Sequence, residues 1–219
     1  FIIEKINRRK ETYFDKDFLN KKYSRVAYME GYFESEKYFL PFKKDIKKQF
    51  VPKNINIYKN NKYLSMINNS QSVALCIRQN RFAEKSGKVS KNNLNDSDTF
   101  VNEQIKYIKN AIVFFKKKLE QPIFYLWSNN SQVLPIEISS ENIIHINNKD
   151  IINENDRILC DLFLMTNCKH FAVTPSSFNW WGCWLSKSEN SIILRPNDNY
   201  FSKFIIKNRD YWPDNWKEI

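Results

Sequence analysis

FAVTPSSFNWWGCWL, residues 171–185, decides how the rest of the chain is read. Phe171 to Thr174 form an apolar, β-prone run that stops at Pro175, and Ser176 and Ser177 follow. Phe178, Trp181, Trp184 and Leu185 then recur at helical spacing. The pattern predicts strand, tight turn and helix, with hydroxyls at the helix start. Two roles are open to those serines. One is capping, in which the hydroxyl accepts from a backbone N–H of the first turn. The other is anion binding, because a helix N-terminus presents unpaired N–H groups and the positive end of its dipole.

The same alternation runs outward from this stretch. Residues 72–77 (SVALCI) and Ile123–Trp127 read as short buried strands, and Ile143–Ile146 and Ser191–Leu194 as further ones. Val101, Ile105, Ile108, Ile112, Phe115 and Leu119 share one helical face, with Asp98 or Thr99 as the expected cap after a polar loop over 85–98. Ile158, Leu159, Leu162, Phe163 and Met165 mark a second buried helix. Strands alternating with helices predict an α/β fold with a parallel sheet covered on both faces. Ligands of such sheets bind beyond the carboxyl ends of the strands. Three places meet that requirement: Arg78–Phe82, Ser128–Asn130 and Ser176–Ser177. Upstream, residues 1–34 show no clean period. Ser35 is the expected cap of a helix after Gly31, and residues 52–70 read as a polar, Asn-rich connection. The expected division is therefore 1–68 and 69–219.

Composition narrows the chemistry. Three glycines in 219 residues, where average usage gives roughly fifteen, exclude a Gly-rich phosphate loop. Any phosphate must be held by side chains and a helix end. The formal charge of +11 favours anionic partners, although runs such as KKDIKK (43–48) and KKK (116–118) also read as solvated helix faces. The aromatics fall on core faces and do not interleave with arginine on an exposed strand, which disfavours nucleic acid. The four cysteines form no C-x-x-C pair, and reduced thiols of a cytoplasmic protein are expected. His170 follows Cys168 too closely for zinc spacing. No run reaches the ~20 apolar residues of a membrane span, and no secretory leader is evident at the start.

Several segments, in order, resemble the α-1,2-fucosyltransferases of glycosyltransferase family 11. GYFESEKYF (31–39) is similar to a Gly-Tyr-x-x-Ser-Glu-Lys-Tyr-Phe element, and VALCIRQNRF (73–82) to a strand followed by His-x-Arg-Arg-x-Asp. IFYLWSNN (123–130) resembles a strand ending in Ser-Asp-Asp. DLFLMTNCKHFAVTPSSFNWWGCWL (161–185) resembles Asp-x-x-x-Met-x-x-Cys, a strand, then Ser-Ser-Phe-Ser-Trp-Trp-Gly-Ala, and WPDNW (212–216) closes the set. Departures are equally definite. Cys76 stands for His, Gln79 for the second Arg and Arg81 for Asp, while Asn129 and Asn130 replace the acidic pair. The family's amino-terminal Gly-Gly-x-Gly-Asn-Gln element is absent, which suits a chain lacking its first strand.

The resemblance implies a GT-B-like fold, with a Rossmann-like carboxyl-terminal lobe and an incomplete amino-terminal one. It implies an inverting enzyme that moves fucose from GDP-fucose to a galactoside hydroxyl in α-1,2 linkage, on a surface glycan or lipopolysaccharide precursor. No metal or other cofactor is expected. Arg78, Arg81, Asp161, Ser176, Ser177 and Phe178 become the expected GDP-fucose contacts, with Arg78 also catalytic and Glu84 a candidate general base. The expected location is cytoplasmic, with peripheral contact to anionic lipid of the inner membrane. The altered motif positions motivate an alternative, a degenerate paralogue that binds nucleotide sugar without turnover.

Overall fold

The computed structural model describes residues 3–8, 14–22, 26–31, 33–52, 55–82, 91–129, 142–151, 153–203 and 210–219. The chain forms two compact units, one of residues 1–49 and 202–216 and one of residues 50–201 and 217–219.

In the first unit, β1 (Ile3–Arg8) and β2 (Val26–Gly31) pair in parallel, Ile3 opposite Val26 and Arg8 opposite Gly31. Between them lies α1 (Lys16–Asn20), capped by Asp15, whose carboxylate accepts from the Asp17 and Phe18 N–H groups. The GYFESEKYF segment leaves β2 and enters a single 3₁₀ turn, Glu36–Tyr38, capped by Ser35 as expected. Tyr38 packs edge-on against Phe14, Phe18 and Phe33, and Lys37 pairs with Asp210. This motif is therefore an anchor for its own unit. A basic helix, α2 (Lys43–Gln49), follows.

In the second unit, α3 (Ile55–Lys59) and α4 (Lys62–Asn68) precede β3 (Gln71–Ile77). Next come α5 (Lys91–Lys118), β4 (Pro122–Ser128), β5 (Ile143–His145) and α6 (Glu154–Thr166). The chain ends with β6 (His170–Ala172), α7 (Ser177–Trp184), β7 (Ile193–Arg195) and β8 (Lys217–Glu218). The six strands lie in the order β5-β4-β3-β6-β7-β8, and every pairing is parallel. This is the parallel α/β, Rossmann-like sheet expected from the sequence. β3 is buried from Ser72 to Ile77, as a central parallel strand covered on both faces must be. Val73, Leu75 and Ile77 pack with Ile105, Ile108, Ala111 and Phe115 of α5. The chain passes from β3 outward to β4 and β5, then returns through α6 to β6 on the other side of β3. That reversal opens a crevice beside the carboxyl end of β3.

Three local expectations need correction. Residues 55–68, read as a polar connection, are two helices with Tyr58, Tyr63 and Ile67 buried, and they group with the second unit, the alternative also open to residues 1–68 of packing as helices against it. Helix α5 begins at Lys91, well before Asp98. No Pro or Gly interrupts residues 91–98, Ser97 is pinned by accepting from the Phe82 N–H, and Thr99 donates back to the Asn95 carbonyl as a mid-helix residue. On α6, Ile158 and Leu159 are 47% and 43% exposed, whereas Cys160, Phe163, Leu164 and Met165 are buried. The buried stripe is thus turned relative to the one expected.

Helices α6 and α7 approach so closely that a side chain at Gly182 would overlap Met165 Sδ and lie 3.0 Å from its Cγ. Met165 is itself fully buried and has little room to retreat. Gly182→Ala is expected to lower stability by about 1–3 kcal/mol, the usual range for overpacking, seen as a lower urea midpoint. Met165→Ala added to it should return part of that loss, because the two changes share one contact. A Gly182→Ala protein as stable as the unaltered chain would show that the helices are not held this tightly.

Candidate functional site

A cavity of about 470 Å³ opens at the carboxyl edge of β3, β4 and β5, bounded by α6 and the start of α7. Its walls follow from strand register. Cys76 lies opposite Trp127, so both side chains point to the α6 face and line the floor. Arg78 is the first residue past β3 and is exposed at the mouth. Its backbone is fixed: the Arg78 N–H donates to Gln104 Oε1 at 2.9 Å, and its carbonyl accepts from Gln104 Nε2 at 2.9 Å.

Asp161 and Arg157 lie one helical turn apart on α6, and both reach the cavity. Burial pushes the Asp161 carboxyl up to about 6. Three groups oppose that push: Asn148, whose Nδ2 donates to Asp161 Oδ1 at 2.6 Å, the nearby Trp127 indole N–H, and the positive Arg157. The buried Trp127 N–H lies near that carboxyl without full hydrogen-bond geometry, so its help is weaker than that of Asn148. Cys76 is protonated and inert, since burial raises its thiol well above the ordinary value.

The start of α7 completes the wall. Ser176 occupies the N-cap position, yet its hydroxyl makes no capping bond, and both Ser176 and Phe178 line the cavity. Ser177 is exposed and lies outside the lining. Of the residues expected from sequence, Arg78, Asp161, Ser176 and Phe178 come together here, while Arg81 and Ser177 stand apart. Arg81 Nη1 donates to the Pro175 carbonyl at 2.7 Å and its guanidinium lies 4.7 Å from the Phe100 ring, so it clasps the turn before α7. Glu84 and Asn130 lie outside the described residues.

Among the wall residues that escaped the sequence reading, three matter most for the cavity's charge and hydrogen bonding. Asn148 and Lys149 follow β5, and the strand-end rule applied to 143–146 would have found them. Arg157 carried a signal in its four-residue spacing from Asp161. With Arg78 and Lys149, it gives the cavity three cations against Glu154 and Asp161. Among the described residues, no group of three or more His, Cys, Asp or Glu is placed to hold a metal ion, and no helix is long and apolar enough to cross a membrane.

The two departures at Gln79 and Asn129 prove to be partners. The Gln79 N–H donates to Asn129 Oδ1 at 2.7 Å, Asn129 Nδ2 returns a bond to the Gln79 carbonyl at 3.0 Å, and Gln79 Nε2 donates to Ser128 Oγ at 3.0 Å. Two neutral amides thus tie the ends of β3 and β4, that of Asn129 through the backbone of residue 79 and that of Gln79 through Ser128.

The family model described as Glycosyl transferase family 11 matches residues 4–219. The chain belongs to that family. This family 11 chain is 27% identical over 201 residues to an Escherichia coli protein described as alpha-1,2-colitosyltransferase, covering 86% of this chain and 61% of that protein. It is also 42% identical over 36 residues to an Escherichia coli O-antigen biosynthesis glycosyltransferase, WbnK, covering 16% of this chain and 12% of that one. It therefore spans less than two thirds of the length of these relatives. No solved structure matches it. The cavity lies where the parallel sheet of this family 11 chain would take a ligand.

The raised Asp161 value makes a stability test. The native state keeps this proton longer than the unfolded chain, whose aspartate titrates near 3.8. Stability therefore falls as pH rises from about 4 to about 6, then levels. Asp161→Asn removes the effect, so its stability relative to the unaltered protein should rise by about 2–3 kcal/mol between pH 4 and 8. Urea titrations of both proteins across that range check it, and a difference that does not vary with pH would disprove the buried carboxyl.

Proposed function

We propose that the cavity is the donor site of an inverting glycosyltransferase that transfers fucose from GDP-fucose to a galactoside hydroxyl, in α-1,2 linkage, on a surface glycan or lipopolysaccharide precursor. The observation that carries this reading is the convergence of Arg78, Arg157, Lys149 and the α7 start on one cavity at the sheet's carboxyl edge. The leaving group is a pyrophosphate, on which negative charge grows as the glycosidic bond breaks. Without a metal, that charge needs fixed cations and oriented donors. Arg78 supplies a planar fork on a strand end whose backbone Gln104 holds still. The Ser176 hydroxyl and the first N–H groups of α7 add neutral donors. Asp161 binds the nucleotide or orders its surroundings. Glu84 is the candidate general base on the acceptor hydroxyl, and the acceptor is served from the amino-terminal part of the chain, residues 1–68.

The Asn129 amide bonds both backbone groups of residue 79, which keeps the ends of β3 and β4 tied and favours an intact site over a degenerate one. The name of the first relative adds a second reading of the donor, a colitosyl group, at the same cavity. A cytoplasmic setting with peripheral contact to anionic lipid belongs to the proposal; the charge of +11 and the four lysines of α2 support it.

Calorimetry with GDP and turnover with fucosyl and colitosyl nucleotide donors, each with and without EDTA, test the proposal. GDP should bind equally well with EDTA present. Arg78→Ala should weaken GDP about ten- to a hundredfold, the worth of a charge-assisted bond, with Arg78→Lys intermediate. Ser177→Ala, at an exposed position, should change little. Unchanged GDP affinity in Arg78→Ala would place the donor elsewhere.

A further inference from the structure

Helix α4 reaches the cavity floor from 87 residues away in sequence. Asn61, the N-cap of α4, accepts from the Tyr63 N–H through Oδ1 and donates through Nδ2 to Asn148 Oδ1 at 2.8 Å. Asn148 is 6% exposed, and its own amide then donates to Asp161 Oδ1 at 2.6 Å. The Tyr63 hydroxyl accepts from the Asn147 N–H at 3.3 Å, which holds the preceding residue as well. Each amide is used at both ends, so the orientation of Asn148 is determined: its oxygen faces Asn61, and only its NH₂ can face the carboxyl. A capping residue is not required to send its other atom into a functional cavity. This one does.

We propose that Asn61 and Asn148 are positioning residues for Asp161, fixing its carboxyl in the orientation and charge state used by the bound nucleotide. The inference rests on the reading of this cavity as the donor site. A buried carboxyl with one fixed donor presents its remaining lone pairs in set directions, and the donor favours the carboxylate over the neutral acid. Arg157 on α6 acts in the same sense. The other groups around Asp161 do not compete for its proton near neutrality: burial holds the Cys160 thiol up at about 11 and Cys76 well above its usual value, and Trp127 on β4 is neutral. Arg78, Lys149 and Glu154 line the same cavity nearer its mouth, and the α7 residues Ser176, Phe178 and Asn179 carry no charge.

The test is GDP affinity measured by calorimetry from pH 4.5 to 8.5 on the full chain. Beyond the ionisation of GDP's own terminal phosphate, which also falls near 6 and is common to all variants, the unaltered protein should show a titration near 6 that is absent from Asp161→Asn. Asn148→Leu, of similar size but without a donor, should move that midpoint upward by about one unit, a tenfold change in the proton affinity of the carboxyl. Asn61→Ser keeps a good cap but cannot reach Asn148; it should move the midpoint the same way by a smaller amount. A purely structural cap predicts no movement in Asn61→Ser. Because Asn148→Leu could impair folding, the Asp161 carboxyl is also titrated by carbon NMR in ligand-free Asn61→Ser, where an upward shift is again expected. Binding that persists with the midpoint unmoved in Asn61→Ser and Asn148→Leu overturns the positioning role alone. Failure of the unaltered chain to bind GDP at any pH overturns the donor-site reading, and the proposal with it.

Discussion

The parallel pairing of β3 with β4 on one side and β6 on the other is the constraint on which the rest depends. A strand buried on both faces leaves its chemistry nowhere to go but past its end, so Arg78 sits where the side chain first escapes the core. The register that sets Cys76 opposite Trp127 puts both on the α6 side, while Leu75 and Leu126 face α5. A slip of one residue would exchange those roles and close the cavity with leucine. The site is therefore a product of register before it is a product of individual residues.

Within that frame the balance of charge is unusual. Gln79 and Asn129 bridge the strand ends with neutral amides at positions where the resemblance leads one to expect an arginine and an acid. Buried ion pairs bring large desolvation costs that their attraction only sometimes offsets; here the Asn129 amide meets the backbone of residue 79 and the Gln79 amide meets Ser128, so neutral groups hold the two strands. The positive charge around the cavity comes instead from residues at its mouth and on α6. Arg81, the nearest arginine in sequence, holds a turn.

The sheet was legible in the sequence because its strands are short apolar runs, SVALCI and IFYLW above all, separated by turn residues. The helices over 55–68 were not, since Tyr58, Tyr63 and Ile67 are too few among asparagines and lysines to show a period. The start of α5 was missed for the same reason: seven polar residues can be helical when nothing in them breaks a helix. In the site, Arg78, Asp161, Ser176 and Phe178 lay in motifs or at strand ends and could be named. Lys149 and Arg157 obey rules that were at hand. Asn61 obeys none, because no local pattern links a helix cap to a carboxylate a hundred residues later.

The contact of Gly182 with Met165 also has a mechanical meaning. The buried Met165 side chain of α6 lies directly against the backbone of α7 at Gly182, so the two helices cannot close further there without collision and pack as one plate. One edge of the plate carries Arg157 and Asp161; the other carries Ser176 and Phe178. The spacing between carboxyl and helix start is thus set by the packing of the two helices. Across the cavity from that plate stand the long, exposed side chains of Arg78 and Lys149, which lie outside the core.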